Sequence, residues 1–89
     1  MGRHNKMNIT VVGLGYVGLS IAVLLSQNHK VVGLDISKER IDMINTKKSP
    51  IKDKEIEEFL KTKKLCLKAT IDIEEAYKDS QYIIVATPT

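Results

Sequence analysis

The sequence predicts an α/β fold in which helices cover both faces of a parallel sheet. Three observations predict it. Four short, nearly continuous apolar runs, β-branched in large part, read as strands buried on both faces. Stretches with helical spacing separate them, as parallel strands require. The composition, 43% hydrophobic and 28% charged over 89 residues, is that of a globular domain and argues against disorder. A chain of this length is one small domain or part of a larger one.

Charge and cysteine content exclude several functions. Fourteen Lys and Arg against eleven Asp and Glu leave +3, too mild and too scattered for a nucleic-acid surface. A single cysteine excludes an intramolecular disulfide framework and a multi-thiolate zinc site. The longest apolar run, within residues 17–25, is about half of a bilayer span. No signal-peptide pattern precedes it. The expectation is a cytoplasmic, soluble chain without a membrane partner.

Taken in order, residues 1–6 are polar and aperiodic and read as an N-terminal extension or cloning remnant, with Met7 an alternative start. Asn8-Ile9-Thr10-Val11-Val12 is a strand that runs into Gly13-Leu14-Gly15-Tyr16-Val17-Gly18. Residues 16–27 are almost entirely apolar or small, which predicts a helix with little exposed surface. Val31-Val32-Gly33-Leu34-Asp35 is a second strand, ending in a carboxylate. Ser37 is placed to cap a helix through Lys47, with Ile41 and Ile44 on its inner face. A loop at Pro50 follows. Asp53 caps a helix whose stripe is Ile56, Phe59 and Leu60. Residues 65–70 form a third strand, with Cys66 as a buried, inert thiol. Asp72 and Glu75 have capping-box spacing and open a short helix to about Asp79. Residues 82–86 form a fourth strand, followed by Thr87-Pro88-Thr89.

Right-handed crossovers give the strand order 3-2-1-4, a doubly wound sheet of Rossmann type truncated after its fourth strand. Residues 7–89 are then the front part of a larger domain. Its fourth strand is an apolar edge with nothing following to cover it.

The glycine pattern carries the chemistry. Gly13-x-Gly15-x-x-Gly18 follows a strand, opens a helix and precedes an acid, Asp35, 17 residues past Gly18, close to the ~20 of a dinucleotide fingerprint. Gly13 permits the tight turn, Gly15 lets a pyrophosphate approach the backbone, and Gly18 lets the helix lie close to the sheet. The helix N-terminus offers unpaired N–H groups to a diphosphate. Asp35 accepts the adenosine ribose hydroxyls and repels a 2′-phosphate, so NAD is favoured over NADP. Arg40 sits one turn into the next helix rather than beside the acid, and is not read as an NADP determinant. Thr87-Pro88-Thr89 lies at the topological switch point, either as a simple strand-ending turn or with hydroxyls that meet the nicotinamide half or its ribose. His4 and His29 read as surface residues, and the lysines at 47, 48, 61, 63 and 64 as solvated helix ends. No catalytic constellation or metal cluster is evident.

The run from Gly13 through Tyr16, Val17 and Gly18 to Leu19-Ser20 resembles the GxGYVGL signature of the UDP-glucose/GDP-mannose dehydrogenase family. Val32-Gly33-Leu34-Asp35-Ile36, Ser49-Pro50-Ile51-Lys52-Asp53-Lys54-Glu55-Ile56 and the segment 83–89 strengthen the likeness, which covers residues 7–89. The Ser-Pro-Ile stretch looks most like short bacterial UDP-glucose 6-dehydrogenases. The resemblance implies oxidation of a nucleotide sugar's C6 alcohol to a carboxylate with two NAD reduced, through a cysteine thiohemiacetal and thioester. It implies NAD contacts from the turn 13–18, including Leu14 and the Tyr16 and Val17 amides. It adds Asp35 on the ribose, Arg40 near the adenosine, and Thr89 near the nicotinamide side. The family's catalytic cysteine belongs to a C-terminal motif that Cys66 does not match. The implied parent is a homodimer acting on UDP-glucose, and the 89-residue chain alone is expected to be inactive. Competing readings are a free-standing NAD-sensing module and a GDP-mannose or UDP-N-acetylmannosamine dehydrogenase fragment.

Overall fold

A computed structural model describes residues 6–87. Its elements are β1 (Asn8–Val12), α1 (Tyr16–Leu25), β2 (Lys30–Leu34), α2 (Lys38–Asn45), α3 (Lys54–Thr62), β3 (Leu67–Thr70), α4 (Ile73–Tyr77) and β4 (Tyr82–Val85). The four strands pair in parallel in the order β3-β2-β1-β4, as the sequence predicts.

The register sets the geometry of the site. Val12 is level with Leu34 on one side and with Val85 on the other, so three strands end together. The Gly13 N–H donates to the Leu34 carbonyl and the Ala86 N–H to the Val12 carbonyl, carrying the ladder one step past the strands. The glycine turn, Asp35 and Thr87 therefore meet at one edge of the sheet.

The two faces are covered unequally. Ile9, Val11, Val31 and Ala69 share a face, by register and by the two-residue alternation of strands. They form one core with Leu19, Ala22 and Val23 of α1, Ile41 and Ile44 of α2, and Ile56 and Leu60 of α3. Among the described residues the opposite face carries only the five-residue α4, tied down where the buried Thr10 hydroxyl donates to the Ala76 carbonyl at 2.5 Å. That cover stops short of β4, where Ile83 and Val85 on this face are exposed, as expected of an apolar edge.

Several local expectations need correction. The α1 helix is not enclosed: Gly18, Leu19, Ala22 and Val23 face the core, but Tyr16, Val17 and Leu24 are exposed. Apolarity all round the helix gave no direction, and only one side meets the sheet and α3. Cys66 precedes β3 and is exposed, not buried. Leu65, Leu67 and Ala69 turn inward, and alternation puts Cys66 and Lys68 on the outer side. The capping box at α4 is half made. Asp72 accepts from the Glu74 and Glu75 N–H groups, but Glu75 turns away to accept from Lys68 and from the Thr70 hydroxyl at 2.8 Å. These bonds hold the Glu75 carboxyl below the ordinary carboxylate value. His29 is half-buried, and its Nδ1 accepts from the Met7 N–H at 3.1 Å. Ser37 and Asp53 cap α2 and α3 as expected. The α2 helix ends at Asn45, because Lys47 takes a left-handed conformation (φ 65°) and the Lys48 N–H closes back onto the Met43 carbonyl.

Candidate functional site

The site is the edge where β1, β2 and β4 end. Gly13 has φ 95°, a backbone conformation that glycine adopts without strain. A Cβ there would also stand 2.9–3.0 Å from Thr87, so the turn is pressed against the end of β4. A Cβ at Gly18 would lie 1.6 Å from the Gly13 carbonyl oxygen. Gly18 thus lets α1 start directly under its own turn, with the Ala86 side chain beside it. A Cβ at Gly33 would meet the Leu14 side chain at 2.8 Å. Leu14 is fully buried and plugs the space between turn and sheet.

Gly15 is different. Its φ is −74°, open to any residue, and a Cβ there would meet nothing within 4 Å. Neither conformation nor packing among the described residues demands glycine at 15. Gly15 is the N-cap of α1, where no side chain caps the helix and no acidic residue sits in the first turn. Helix N-terminal amides without internal partners, with open space above them, have the chemistry of an anion site.

Asp35 follows β2 directly. Its side chain is 8% exposed. Oδ2 accepts from the Leu14 N–H at 2.8 Å, Oδ1 from the Ser37 N–H at 2.9 Å, and Arg40 Nη1 lies 3.5 Å from Oδ2. Burial raises the pKa of this carboxyl. The bonds from Leu14 and Ser37, and then the Arg40 charge, outweigh burial and leave it below its ordinary value. Asp35 is therefore charged at neutral pH.

This corrects the reading of Arg40, which is beside the acid. Ser37 caps α2 by accepting the Arg40 N–H at 3.2 Å, and helical side chains lean towards the N-terminus, so the guanidinium folds back over Asp35. The spacing to the cap was visible in the sequence; the direction of the side chain was not.

Next to this pair is a hollow of about 600 Å³, lined by Ile36, Ser37, Glu39, Arg40, Met43 and Pro50 with Asp35 at its edge. Sequence reasoning missed Ile36, Met43 and Pro50. The one available signal was an apolar residue, Ile36, directly after the acid, and its side chain is fully open to solvent.

Of the remaining sequence-predicted residues, Leu14, Tyr16 and Val17 lie in the turn and first helical positions, with Tyr16 and Val17 exposed. Thr87 stands against Gly13. Pro88 and Thr89 lie outside the described residues. Among the described residues no group of three His, Cys, Asp or Glu is placed to hold a metal, and no helix is long and apolar enough to cross a membrane.

A parallel sheet in this order, a glycine turn over a free helix N-terminus and a carboxylate closing the second strand define a Rossmann-type dinucleotide-binding domain. Comparison with known proteins narrows this class. The chain belongs to the UDP-glucose/GDP-mannose dehydrogenase family, whose NAD-binding domain matches residues 7–89, and NAD is its cofactor. It is 52% identical over 83 residues to UDP-glucose 6-dehydrogenase of Streptococcus pneumoniae, covering 93% of this chain and 21% of that protein. It is 46% identical over 90 residues to GDP-mannose 6-dehydrogenase of Pseudomonas syringae, covering 93% and 20%. The solved GDP-mannose dehydrogenase of Pseudomonas aeruginosa superposes with a TM-score of 0.84 at 37% identity, covering 93% of this chain and 20% of that one. The chain thus spans about a fifth of the length of these relatives.

Proposed function

We propose that this chain supplies the NAD site of a UDP-glucose 6-dehydrogenase, with residues 7–89 as the front part of the NAD-binding domain. The observation that carries the reading is Gly15, a glycine that nothing among the described residues requires, at the uncapped start of α1. In this reading the amides of Gly15, Tyr16 and Val17 receive the pyrophosphate. Asp35 accepts the adenosine ribose hydroxyls, Arg40 faces the adenosine, and Thr87 meets the nicotinamide side. NAD, when bound, supplies the hydride acceptor. UDP-glucose is favoured over GDP-mannose by the higher identity to the UDP-glucose enzyme and by the Ser-Pro-Ile stretch. Sugar recognition and catalysis then belong to parts of the parent enzyme that this chain does not match.

Calorimetric titration with NAD and NADP tests this. The expected result is saturable binding that prefers NAD, with no NADH formed on adding UDP-glucose. Absence of NAD binding by the folded chain would contradict the site; UDP-glucose-dependent NADH production would contradict the division of labour.

A further inference from the structure

A glycine inside a strand has no side chain to pack and weakens the strand unless something needs the space. Gly33 is such a residue. It is buried in β2, level with Val11 of β1 on one side and Ala69 of β3 on the other. It is not at positive φ, so conformation does not demand glycine there. Space does. A Cβ at 33 would stand 2.8 Å from both Cδ atoms of Leu14 and 3.3 Å from its Cγ. Carbon atoms in contact rest at about 3.5–4.0 Å, so the closest pairs fall short by roughly 1 Å. Leu14 is fully buried and has no open side to which both methyl groups can swing. β2 cannot retreat, since it is paired on both sides within the sheet. A side chain at 33 therefore displaces residue 14, and with it the glycine turn.

We propose that Gly33 is a positioning residue for the dinucleotide site and acts through Leu14. With no side chain at 33, Leu14 seats on β2 and fixes the height of the turn over the sheet. That height sets two parts of the site. The Leu14 N–H reaches Asp35 Oδ2 at 2.8 Å and steadies the carboxylate that faces the ribose. The amides of Gly15, Tyr16 and Val17 follow Leu14 directly in the chain and take their direction from it. Binding groups work within about 0.5 Å of their productive geometry, so a rise of roughly 1 Å at Leu14 takes both parts out of place. Gly33 brings no polar side-chain group to the site; its part is the space it leaves. This inference rests on the reading that the edge binds NAD.

The test is a compensating exchange in the whole chain, read by calorimetric titration with NAD and by amide NMR. Gly33→Ala adds a methyl group where Leu14→Val removes a methylene, so the double variant nearly conserves volume. Gly33→Ala alone is expected to weaken NAD binding by about tenfold or more, the worth of one hydrogen bond to a charged group. It is also expected to move the amide resonances of Gly15 and Asp35. Gly33→Ala with Leu14→Val is expected to recover most of the affinity and to bring both resonances back towards their original positions. A role in stability alone predicts no such return of affinity. Spectral dispersion reports folding. A Gly33→Ala chain that binds NAD as the unchanged chain does overturns the proposal, since Leu14 then accepts the methyl group without moving the turn. So does a loss of affinity that the double variant does not recover. If Gly33→Ala alone does not fold, the double variant carries the test: it is expected to fold and to bind NAD, and failure of either overturns the proposal. These results leave the dinucleotide site standing; absence of NAD binding by the unchanged, folded chain overturns both.

Discussion

Val11, Leu14 and Leu19, around the glycine turn, are fully buried, whereas Ile83 and Val85, one strand away, are 50% and 68% exposed. Both sets are aliphatic, and both flank the same edge. The difference lies in what surrounds them. The turn is closed by its own neighbours: Gly18 under Gly13, Leu14 against Gly33, Asp35 bonded to Leu14. Among the described residues the fourth strand pairs with β1 alone, and Ile83 and Val85 have no helix over them. The β1–α1–β2 corner thus contains the groups of the proposed site and most of what fixes them. The β4 side contributes Thr87 and an open apolar surface.

Substitutions can break this contrast. The largest effect is expected at Gly18. Gly18→Ala puts a methyl group 1.6 Å from backbone oxygen, which only a shift of α1 relieves. Overpacking of this kind costs about 3 kcal/mol or more, a large fraction of a small domain's stability. Urea unfolding followed by circular dichroism measures it. A midpoint like that of the unchanged chain would mean that the corner is softer than the geometry states.

Asp35→Asn comes next. One amide oxygen cannot serve both the Leu14 and Ser37 N–H groups at their present positions, so a cost of about 1–3 kcal/mol is expected at neutral pH. The pH dependence follows from the lowered carboxyl. A carboxyl held below its ordinary value of 3.8 adds stability that is fully present above that value. The contribution is lost as pH falls through the folded-state pKa. The gap between the two proteins should therefore narrow below about pH 4. A constant gap down to pH 2 would remove Asp35 from the linkage.

The smallest effect is expected on β4. Val85→Lys, at a residue 68% exposed, should change unfolding free energy by no more than about 0.5 kcal/mol. It should reduce self-association by light scattering, because a charged edge resists strand pairing. A loss of several kcal/mol would show that β4 is packed as tightly as the corner.

How much of this was legible in the sequence follows the same division. Strand order and the glycine turn were legible because they depend on local backbone geometry and on handedness. Gly13, Gly15 and Gly18 share one motif, and the sequence assigned each a different task. The structure separates them: two are demanded by close contacts inside the chain, and Gly15 by nothing among the described residues. Misreadings arose where side-chain direction decides. Arg40 was placed away from the acid, but its cap at Ser37 aims it back over Asp35. Cys66 was placed inside by its apolar neighbours, and alternation turns it out. The exposed side of α1 was illegible because a helix apolar all round carries no moment to orient it.

The central claim is that the requirement for glycine at 15 comes from outside the protein. Gly15→Val tests it most directly, by thermal melting and NAD titration of the same sample. The account predicts a melting temperature within a few degrees of the unchanged chain's, since a Cβ at 15 meets nothing, together with loss of NAD binding. Undiminished NAD affinity in a folded Gly15→Val chain would contradict it.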